Sequence, residues 1–493
     1  MATWTAADRA QAADLVALTW ANPFTPQRLQ LERRLLGQPP PSADAVWHPQ
    51  ADADDERFAR LARLAENLLA RAPAQAVERD GLLVYALYYR FIERLDRLAR
   101  AEPGAEIGWF SEFAAAQHEL SGQAMPRPEL EHLLACLLQV RRTFAAIFAQ
   151  LVGASAPMAR LRAACWQAVF GADLQRYRRC LWERMRDFPA LVCGPSGTGK
   201  ELVARVIGGS GYLPVDGRRD RLGGVAGASW LPLSISALPA TLIEAELFGH
   251  RRGAFTGAAE ERAGWLEVCP AHGCVFLDEI GEVDPAVQVK LLRVLQTRRF
   301  ARVGEHAERI FAGRLVAATN RDLAAEIDAG RFRADVYYRL CATQVTTPAL
   351  RELLDADAGE LDRLALALAE RIVGPSEAAA VAGEGTAWIR RHLGEGYDWP
   401  GNVRELEQCL RNLLVRGSYH PATADEDFAA TVRAGRLTAE ELLDRYCAQE
   451  SRRTGGWRAA GRRLGIDWRT VKLRALRSGA VGDAEGDMDG GGD

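Results

Sequence analysis

Apolar residues recur every three to four positions through the first third of the chain. FARLARLAENLL (58–69) and LLVYALYYRFIERLDRLA (82–99) show it best, with arginines and acids between the apolar positions, and the spacing predicts amphipathic helices. LGQPPPSADAVWHPQADADDE (36–56) reads as a loop, and MPRP (125–128) breaks the chain before a further helix running to about Val152. No alternating or continuous β-like run interrupts residues 1–150, so a parallel sheet carrying a phosphoacceptor Asp is not expected there. From about Leu151 the texture becomes short apolar strands alternating with helices, the α/β pattern. Ala190-Leu-Val-Cys-Gly194, Cys274-Val-Phe-Leu-Asp278 and Gly313-Arg-Leu-Val-Ala-Ala318 are three such strands. Beyond Pro348 the helical spacing returns to about Tyr419, a polar linker follows, and a basic helical unit runs from about Leu437 to Gly479.

The pattern divides the chain into a helical domain (1–150), an α/β domain (151–348), a helical lid (349–420), a linker (421–436), a basic helical unit (437–480) and an acidic, glycine-rich tail (481–493) expected to be disordered. The helical domain either only packs and oligomerises or serves as a sensory module for a ligand or protein partner. The 493 residues suffice for about three domains. A net charge of −3 and a pI near 6.3 exclude wholesale coating of nucleic acid but not a small basic module. No run is expected to cross a membrane, the N-terminus lacks the regions of a secretion signal, and nine scattered cysteines without a CxxC pair read as reduced thiols; a cytoplasmic location is the expectation. CPAHGC (269–274) holds two Cys and a His, but it reads as a turn into a buried strand rather than a metal site. Only three of the 62 basic residues are lysines, Lys200, Lys290 and Lys472, so a lysine hints at a position where a compact ammonium is needed.

One lysine closes GPSGTGK (194–200), which follows a strand and opens a helix. Its glycines let backbone N–H groups converge on phosphates, and Lys200 reaches the β and γ oxygens. Gly194, Pro195, Ser196, Gly197, Thr198, Gly199, Lys200 and Glu201 form this nucleotide-binding segment, with Glu201 where the general motif has a magnesium-binding hydroxyl. About 80 residues on, VFLDEI ends an apolar strand in two acids: Asp278 can hold magnesium and Glu279 can polarise a water, unless both are simply acids favoured by a helix N-terminus. AATNRDL ends a third strand in Thr319 and Asn320, which can position that water. Arg333 and Arg339, without an obvious partner nearby, either make surface salt bridges or reach a neighbouring subunit's γ-phosphate. The hexapeptide GAFTGA (253–258) sets Phe255 and Thr256 between glycines in a loop tip, either as a turn with a tucked aromatic or as a contact for a partner.

GPSGTGKE, ELFGHRRGAFTGA, FLDEIGEV, VKLLRVLQ, AATNRDL, FRADVYYRL and WPGNVREL, in this order over about residues 152–420, resemble the AAA+ domain of sigma-54-dependent transcriptional activators, the bacterial enhancer-binding proteins. The resemblance implies a multidomain chain with an α/β AAA+ P-loop domain and helical lid, binding ATP and magnesium between subunits of a hexamer, with a dimer at rest as an alternative. It implies Asp278 and Glu279 for magnesium and water, Thr319 and Asn320 as γ-phosphate sensors, Arg333 and Arg339 on the neighbour's nucleotide, and Arg404 as the lid's sensor. It also implies that Gly253, Ala254, Phe255, Thr256, Gly257 and Ala258 rise with ATP to touch the sigma factor, Phe255 and Thr256 staying exposed. Such activators usually carry Asn in the strand before ELFGH as a switch on the catalytic Glu; here the position is Ser234, a shorter group expected to restrain Glu279 less. The segments 171–185 and 212–230 are longer than the family norm.

WRAAGRRLGIDWRTVKLRALRSG (457–479) reads as helix, turn at 464–466, helix, with Ala459 and Ala460 allowing close packing. Arg469, Thr470, Lys472 and Arg474 are expected to face phosphates and base edges of DNA, the other reading being a basic solvated hairpin. The unit resembles a Fis-type helix-turn-helix, which makes upstream enhancer DNA the expected partner beside sigma-54 RNA polymerase. The function so implied is ATP-driven remodelling of the sigma-54 closed complex; the alternatives are a regulator that uses ATP only to assemble on DNA and an AAA+ machine for another cargo.

Overall fold

The computed structural model describes residues 4–41, 55–73, 75–224, 229–255, 260–421, 432, 437–454 and 456–477. The chain forms two compact units, Met1–Arg411 and Asn412–Asp493. The first takes in the helical domain, the α/β domain and most of the lid.

Helices Ala6–Trp20, Pro26–Leu35, Asp55–Ala70, Arg79–Arg90, Ile92–Ala99, Phe110–Ser121 and Arg127–Gln150 build the N-terminal domain. The first starts on a capping box: Thr5 Oγ1 accepts the Asp8 N–H, and the Asp8 carboxylate accepts the Thr5 N–H. The apolar run 82–99 forms two helices rather than one, broken at Phe91 (φ −110°, ψ 13°). The Phe91 ring stacks on Trp109 at 5.3 Å and meets the edge of Phe113 at 5.3 Å, so side-chain packing fixes the break. Contrary to the sequence expectation, one helix, Arg127–Gln150, is long and apolar enough to cross a membrane by length and composition. Its Leu130, Leu133, Leu134, Leu137 and Leu138 are buried in the domain's own core, which accounts for the apolar face.

The α/β domain is built on a five-stranded sheet in the order Thr343–Thr346, Ala190–Cys193, Arg314–Thr319, Cys274–Asp278, Trp230–Ser234, all pairs parallel. The three central strands are almost wholly buried, as their continuous apolar runs require. Register sets Cys193 beside Thr319 and Ser234 beside Asp278, so polar residues gather at the carboxyl ends of the strands.

The two long segments have a packing role. Within 212–230, Val215–Asp216 and Arg221–Leu222 form a hairpin, and Val215 and Leu222 are buried in the same core as the N-terminal helices. Leu222 exchanges backbone hydrogen bonds with 104–105: its N–H donates to Ala105 O (2.9 Å) and its carbonyl accepts from Gly104 (3.0 Å). Within 171–185, a short helix (Leu174–Arg176) leads into a π-helical turn, Tyr177–Leu181. There Tyr177 is buried and its hydroxyl donates to Gln139 Oε1 of the Arg127–Gln150 helix at 2.6 Å.

The lid comprises Leu350–Ala356, Glu360–Val373, Ala378–His392 and the helix that starts at Asn402. Glu360, fully buried, holds the joint that follows the N-terminal domain: its carboxylate accepts the Ala154 N–H (2.8 Å) and the Ser155 hydroxyl (2.8 Å).

In the second unit, Ala439–Thr454, Trp457–Leu464 and Trp468–Arg477 enclose Cys447, Ala448, Ala460, Val471 and Ala475. Ala459, expected to share the close helix contact, is only half-buried; Gly461 takes that part, since a Cβ there would stand 2.9 Å from Ile466 O. The tail 481–493 and most of the linker 421–436 lie outside the described residues.

Candidate nucleotide site

The loop after Ala190–Cys193 is shaped by three glycines with positive φ: Gly194 (148°), Gly197 (79°) and Gly199 (88°). A Cβ on Gly194 would overlap the Thr347 hydroxyl, and one on Gly197 would overlap the Gly401 carbonyl. Only glycine lets the loop close this tightly, and a curl of this kind directs successive N–H groups into one concavity. Lys200 begins the following helix, is 7% exposed, and donates to the carbonyls of Gly194 and Pro195, both at 3.1 Å. Burial holds its ammonium below the usual lysine range, with Glu279 and Asp278 acting against that shift. Glu201, in contrast, is exposed and pairs with Arg205 at 2.9 Å along the helix.

Asp278 and Glu279 end the neighbouring buried strand. Burial and the adjacent Glu279 raise the Asp278 carboxyl above its usual range, the mark of a crowded acid site that a cation would relieve. Glu279 sits in the left-handed region (φ 56°, ψ 50°), unusual outside glycine. Its Oε1 lies 4.0 Å from Lys200 Nζ, and its Oε2 accepts the Asn320 backbone N–H at 3.2 Å. The phosphate-loop lysine, both acids and Asn320 therefore converge. These groups fit a nucleotide triphosphate with its metal: a cradle that only glycine permits, one buried ammonium, and two crowded carboxylates.

Other expected residues stand differently. Thr319 is fully buried and its hydroxyl accepts the Arg321 N–H at 3.1 Å, which shapes the turn through Asn320. Ser234 contacts Ser236 (3.4 Å) and not Glu279; the Glu279 carboxylate is held by Asn320 and Lys200. Arg333 does have a near partner, Asp335, in a two-toothed pair with bonds of 3.0 and 2.8 Å; Arg339 is exposed. Phe255 is not a freely exposed side chain: its ring is half-buried and meets His250 edge-on at 5.0 Å, because an aromatic in a short loop removes area from water on the nearest ring. Gly253 and Ala254 are described, and Gly253 has φ 79° with open space around it, whereas Thr256, Gly257 and Ala258 lie outside the described residues. Among the described residues no group of His, Cys, Asp and Glu is arranged to hold a metal by itself, and Cys269 and Cys274 are buried free thiols.

The lid closes over the loop through Arg404, whose guanidinium donates to Ser196 Oγ at 3.0 Å. Asn402, which the sequence reading passed over, does more. Its amide donates to Ser196 O (2.9 Å), its Oδ1 accepts the Leu350 N–H (2.8 Å), and it adopts φ 53°, a conformation that Asn tolerates. Thr347 was also missed; its hydroxyl lies 2.7 Å from Thr198 Oγ1. The GN of WPGNVREL was a usable signal for Asn402, while nothing in TTPAL singles out Thr347.

In the second unit, Arg469, Thr470 and Lys472 are exposed on the last helix. Arg474 is not available in the way expected, because it pairs with Asp444 of the Ala439–Thr454 helix at 2.9 Å.

A parallel sheet with a glycine phosphate loop after one strand and paired acids at the end of a neighbouring strand defines a P-loop nucleotide-binding protein. The Sigma-54 interaction domain matches residues 174–346. The chain is 31% identical over 452 residues to response regulator protein PilR of Pseudomonas aeruginosa, covering 86% of this chain and 93% of PilR. It is 39% identical over 297 residues to a Nif-specific regulatory protein of Azotobacter vinelandii, covering 58% of this chain and 53%, about half, of that relative's length. A crystal structure of NtrX from Brucella abortus in complex with ATP aligns at 23% identity and a TM-score of 0.41, over 75% of this chain and 76% of that one. The chain belongs to the sigma-54-dependent transcriptional activators.

Proposed function

We propose that the chain is an ATP-hydrolysing activator that binds upstream DNA and remodels the sigma-54 RNA polymerase closed complex into an open one. The observation that carries this reading is the Glu279 carboxylate, fixed between the Asn320 N–H and Lys200 at the mouth of the phosphate loop. In this reading the 194–199 backbone and Lys200 bind the phosphates of ATP, and Asp278 holds magnesium, which supplies charge neutralisation for the phosphates. Glu279 accepts a proton from the attacking water, and Asn320 keeps that carboxylate in place. Arg404, on Ser196, brings the lid to the loop. Arg333 and Arg339, both exposed, serve the nucleotide of a neighbouring subunit in a hexameric ring, and Arg333 exchanges Asp335 for phosphate when the ring forms. Residues 253–258 carry the resulting motion to the sigma factor.

The test is Thr256→Ala. Promoter opening by sigma-54 holoenzyme is expected to fall to background while ATP turnover stays within about threefold of the parent, a change under 1 kcal/mol in barrier. Permanganate footprinting of the promoter beside a phosphate-release assay reads both, and undiminished opening would refute the role of the loop.

DNA contact is assigned to Arg469, Thr470 and Lys472. Replacing Arg469 or Lys472 by Ala is expected to weaken DNA binding and reduce the salt slope of log K by about 1 for each lost phosphate contact. Arg474→Ala is expected instead to lower the stability of the unit, with the salt slope kept. Fluorescence anisotropy at several salt concentrations distinguishes these, and an Arg474→Ala slope change equal to the others would place Arg474 on DNA after all.

A further inference from the structure

In the second unit, acids of the Ala439–Thr454 helix take up three of the cations around them. Asp444 pairs with Arg474 at 2.9 Å, Glu440 with Arg477 at 3.3 Å and Glu450 with Arg463 at 2.9 Å. Arg462, Arg469 and Lys472 are exposed and have no ion-pair partner among the described residues. Asp467, near Arg469 in sequence, is engaged elsewhere: its carboxylate accepts the Arg469 backbone N–H at 2.8 Å. Arg469 and Lys472 stand three apart on the helix Trp468–Arg477, so they share a face with their Cβ atoms about 5–6 Å apart. A pair of like charges so close, with no acid between them, is a face that attracts an anion.

The chain that follows this helix carries the opposite charge. Residues 478–493 lie outside the described residues, and their sequence, SGAVGDAEGDMDGGGD, holds five acids and no Lys, Arg or His. Four of the acids, Asp483, Glu485, Asp487 and Asp489, stand at every second position. In an extended strand that alternation puts all four on one side, at intervals of about 6.6–6.8 Å. The interval is close to the separation of the two helix cations.

The acids are also within reach. Lys472 lies five residues and Arg469 eight residues before Arg477 on the helix, so about 8 and 12 Å back along its axis. The six residues from Arg477 to Asp483 span at most about 20 Å, enough to bring the first acid back to both cations of the same chain. A tether this short gives an effective concentration in the millimolar range, so even a weak contact between the two charges is well populated.

We propose that the acidic segment 483–489 docks on the face of Arg469 and Lys472 in its own chain and competes there with DNA. The competition rests on the DNA-binding reading above; the contact does not. Carbodiimide cross-linking of the full chain tests the contact, because the reagent joins a carboxylate to a lysine amine and Lys472 is the only lysine of the second unit. A cross-link between Lys472 and the tryptic peptide 478–493 of the same chain is expected at about 50 mM salt and is expected to fade at about 500 mM. No such cross-link, or one formed only between two chains, overturns the contact. Fluorescence anisotropy with a random-sequence duplex of about 30 base pairs tests the competition. It compares the full chain, a chain ending at Ala480, and the variant Asp483→Asn/Glu485→Gln/Asp487→Asn/Asp489→Asn. Both altered chains are expected to bind about fivefold more tightly at about 50 mM salt, with the gain falling below twofold at about 300 mM as the segment is released. Equal affinities at low salt overturn the competition, and a gain from truncation that the neutral variant lacks overturns its electrostatic basis. Tighter binding without the Lys472 cross-link means that the segment only repels DNA, and overturns the docking. A chain that forms the cross-link but binds no DNA, with or without the segment, refutes the DNA-binding reading and leaves the contact standing. A chain that binds DNA but shows neither the cross-link nor the gain does the reverse.

Discussion

Glu279→Gln is expected to lower ATP turnover by about 10²- to 10⁴-fold, the usual worth of a positioned general base, while nucleotide affinity is kept. The carboxylate makes two contacts with different meanings. The Asn320 N–H donates to Oε2 at 3.2 Å, and a glutamine turned to present its carbonyl oxygen preserves that bond. The 4.0 Å approach of Oε1 to Lys200 is a charge interaction that glutamine loses. Nucleotide affinity survives because the glycine loop and the Lys200 stem are untouched. The proton acceptor does not survive, since an amide oxygen is far too weak a base. The left-handed backbone at Glu279 costs about 1–2 kcal/mol for any residue with a Cβ, and Gln carries the same cost as Glu, so stability is expected to be unchanged. Phosphate release measured beside equilibrium binding of a fluorescent nucleotide checks both parts. Turnover within about tenfold of the parent would assign the base to another residue.

Much of this site was legible in the chain because it rests on local rules. The phosphate loop requires glycine where φ is positive, a lysine at the helix start and an apolar strand before it, and ALVCGPSGTGK (190–200) states all three within a few residues. Asp278 and Glu279 were legible because a buried apolar strand that ends in two acids is rare without a task. Other features have a different cause, partners that the local pattern does not reveal. Arg474 looked free until Asp444, 30 residues earlier, met it across the helix pair. The Thr319 hydroxyl accepts the Arg321 N–H two residues on, a turn contact that the strand-end pattern does not reveal. The segments 171–185 and 212–230 stand out in the sequence only as longer than the family norm. They are attachments, since Val215, Leu222 and Tyr177 are buried and the tyrosine is tied to Gln139. No spacing rule reveals which core an inserted apolar residue will join.

Glu360→Ala is expected to cost about 3 kcal/mol, more than any exposed ion pair in the chain can contribute. Glu360 is fully buried and satisfies three donors from the joint after the N-terminal domain: the Ala154 N–H, the Ser155 hydroxyl and, at 3.4 Å, the Ser155 N–H. It also accepts from Arg363 at 3.0 Å. Alanine leaves the three donors of the joint without this acceptor, while Arg363 keeps Asp357. Arg363→Ala removes only a partly exposed cation and is expected to cost about 1 kcal/mol or less. Glu360→Gln keeps one acceptor oxygen and falls between the two. Scanning calorimetry of the three variants orders them, and equal melting temperatures for Glu360→Ala and Arg363→Ala would show that the joint is not held here. Glu360 stands on a lid helix, and the lid meets the phosphate loop through Arg404 and Asn402. The N-terminal domain is thereby fastened at both ends of the nucleotide site: at the joint by Glu360, and at the far end of the phosphate-loop helix by Gln139 and Ser210. A domain attached in that way contacts both the lid, through Glu360, and the end of the phosphate-loop helix, through Ser210. The loss from Glu360→Ala should therefore appear in the response of turnover to the N-terminal domain as well as in stability.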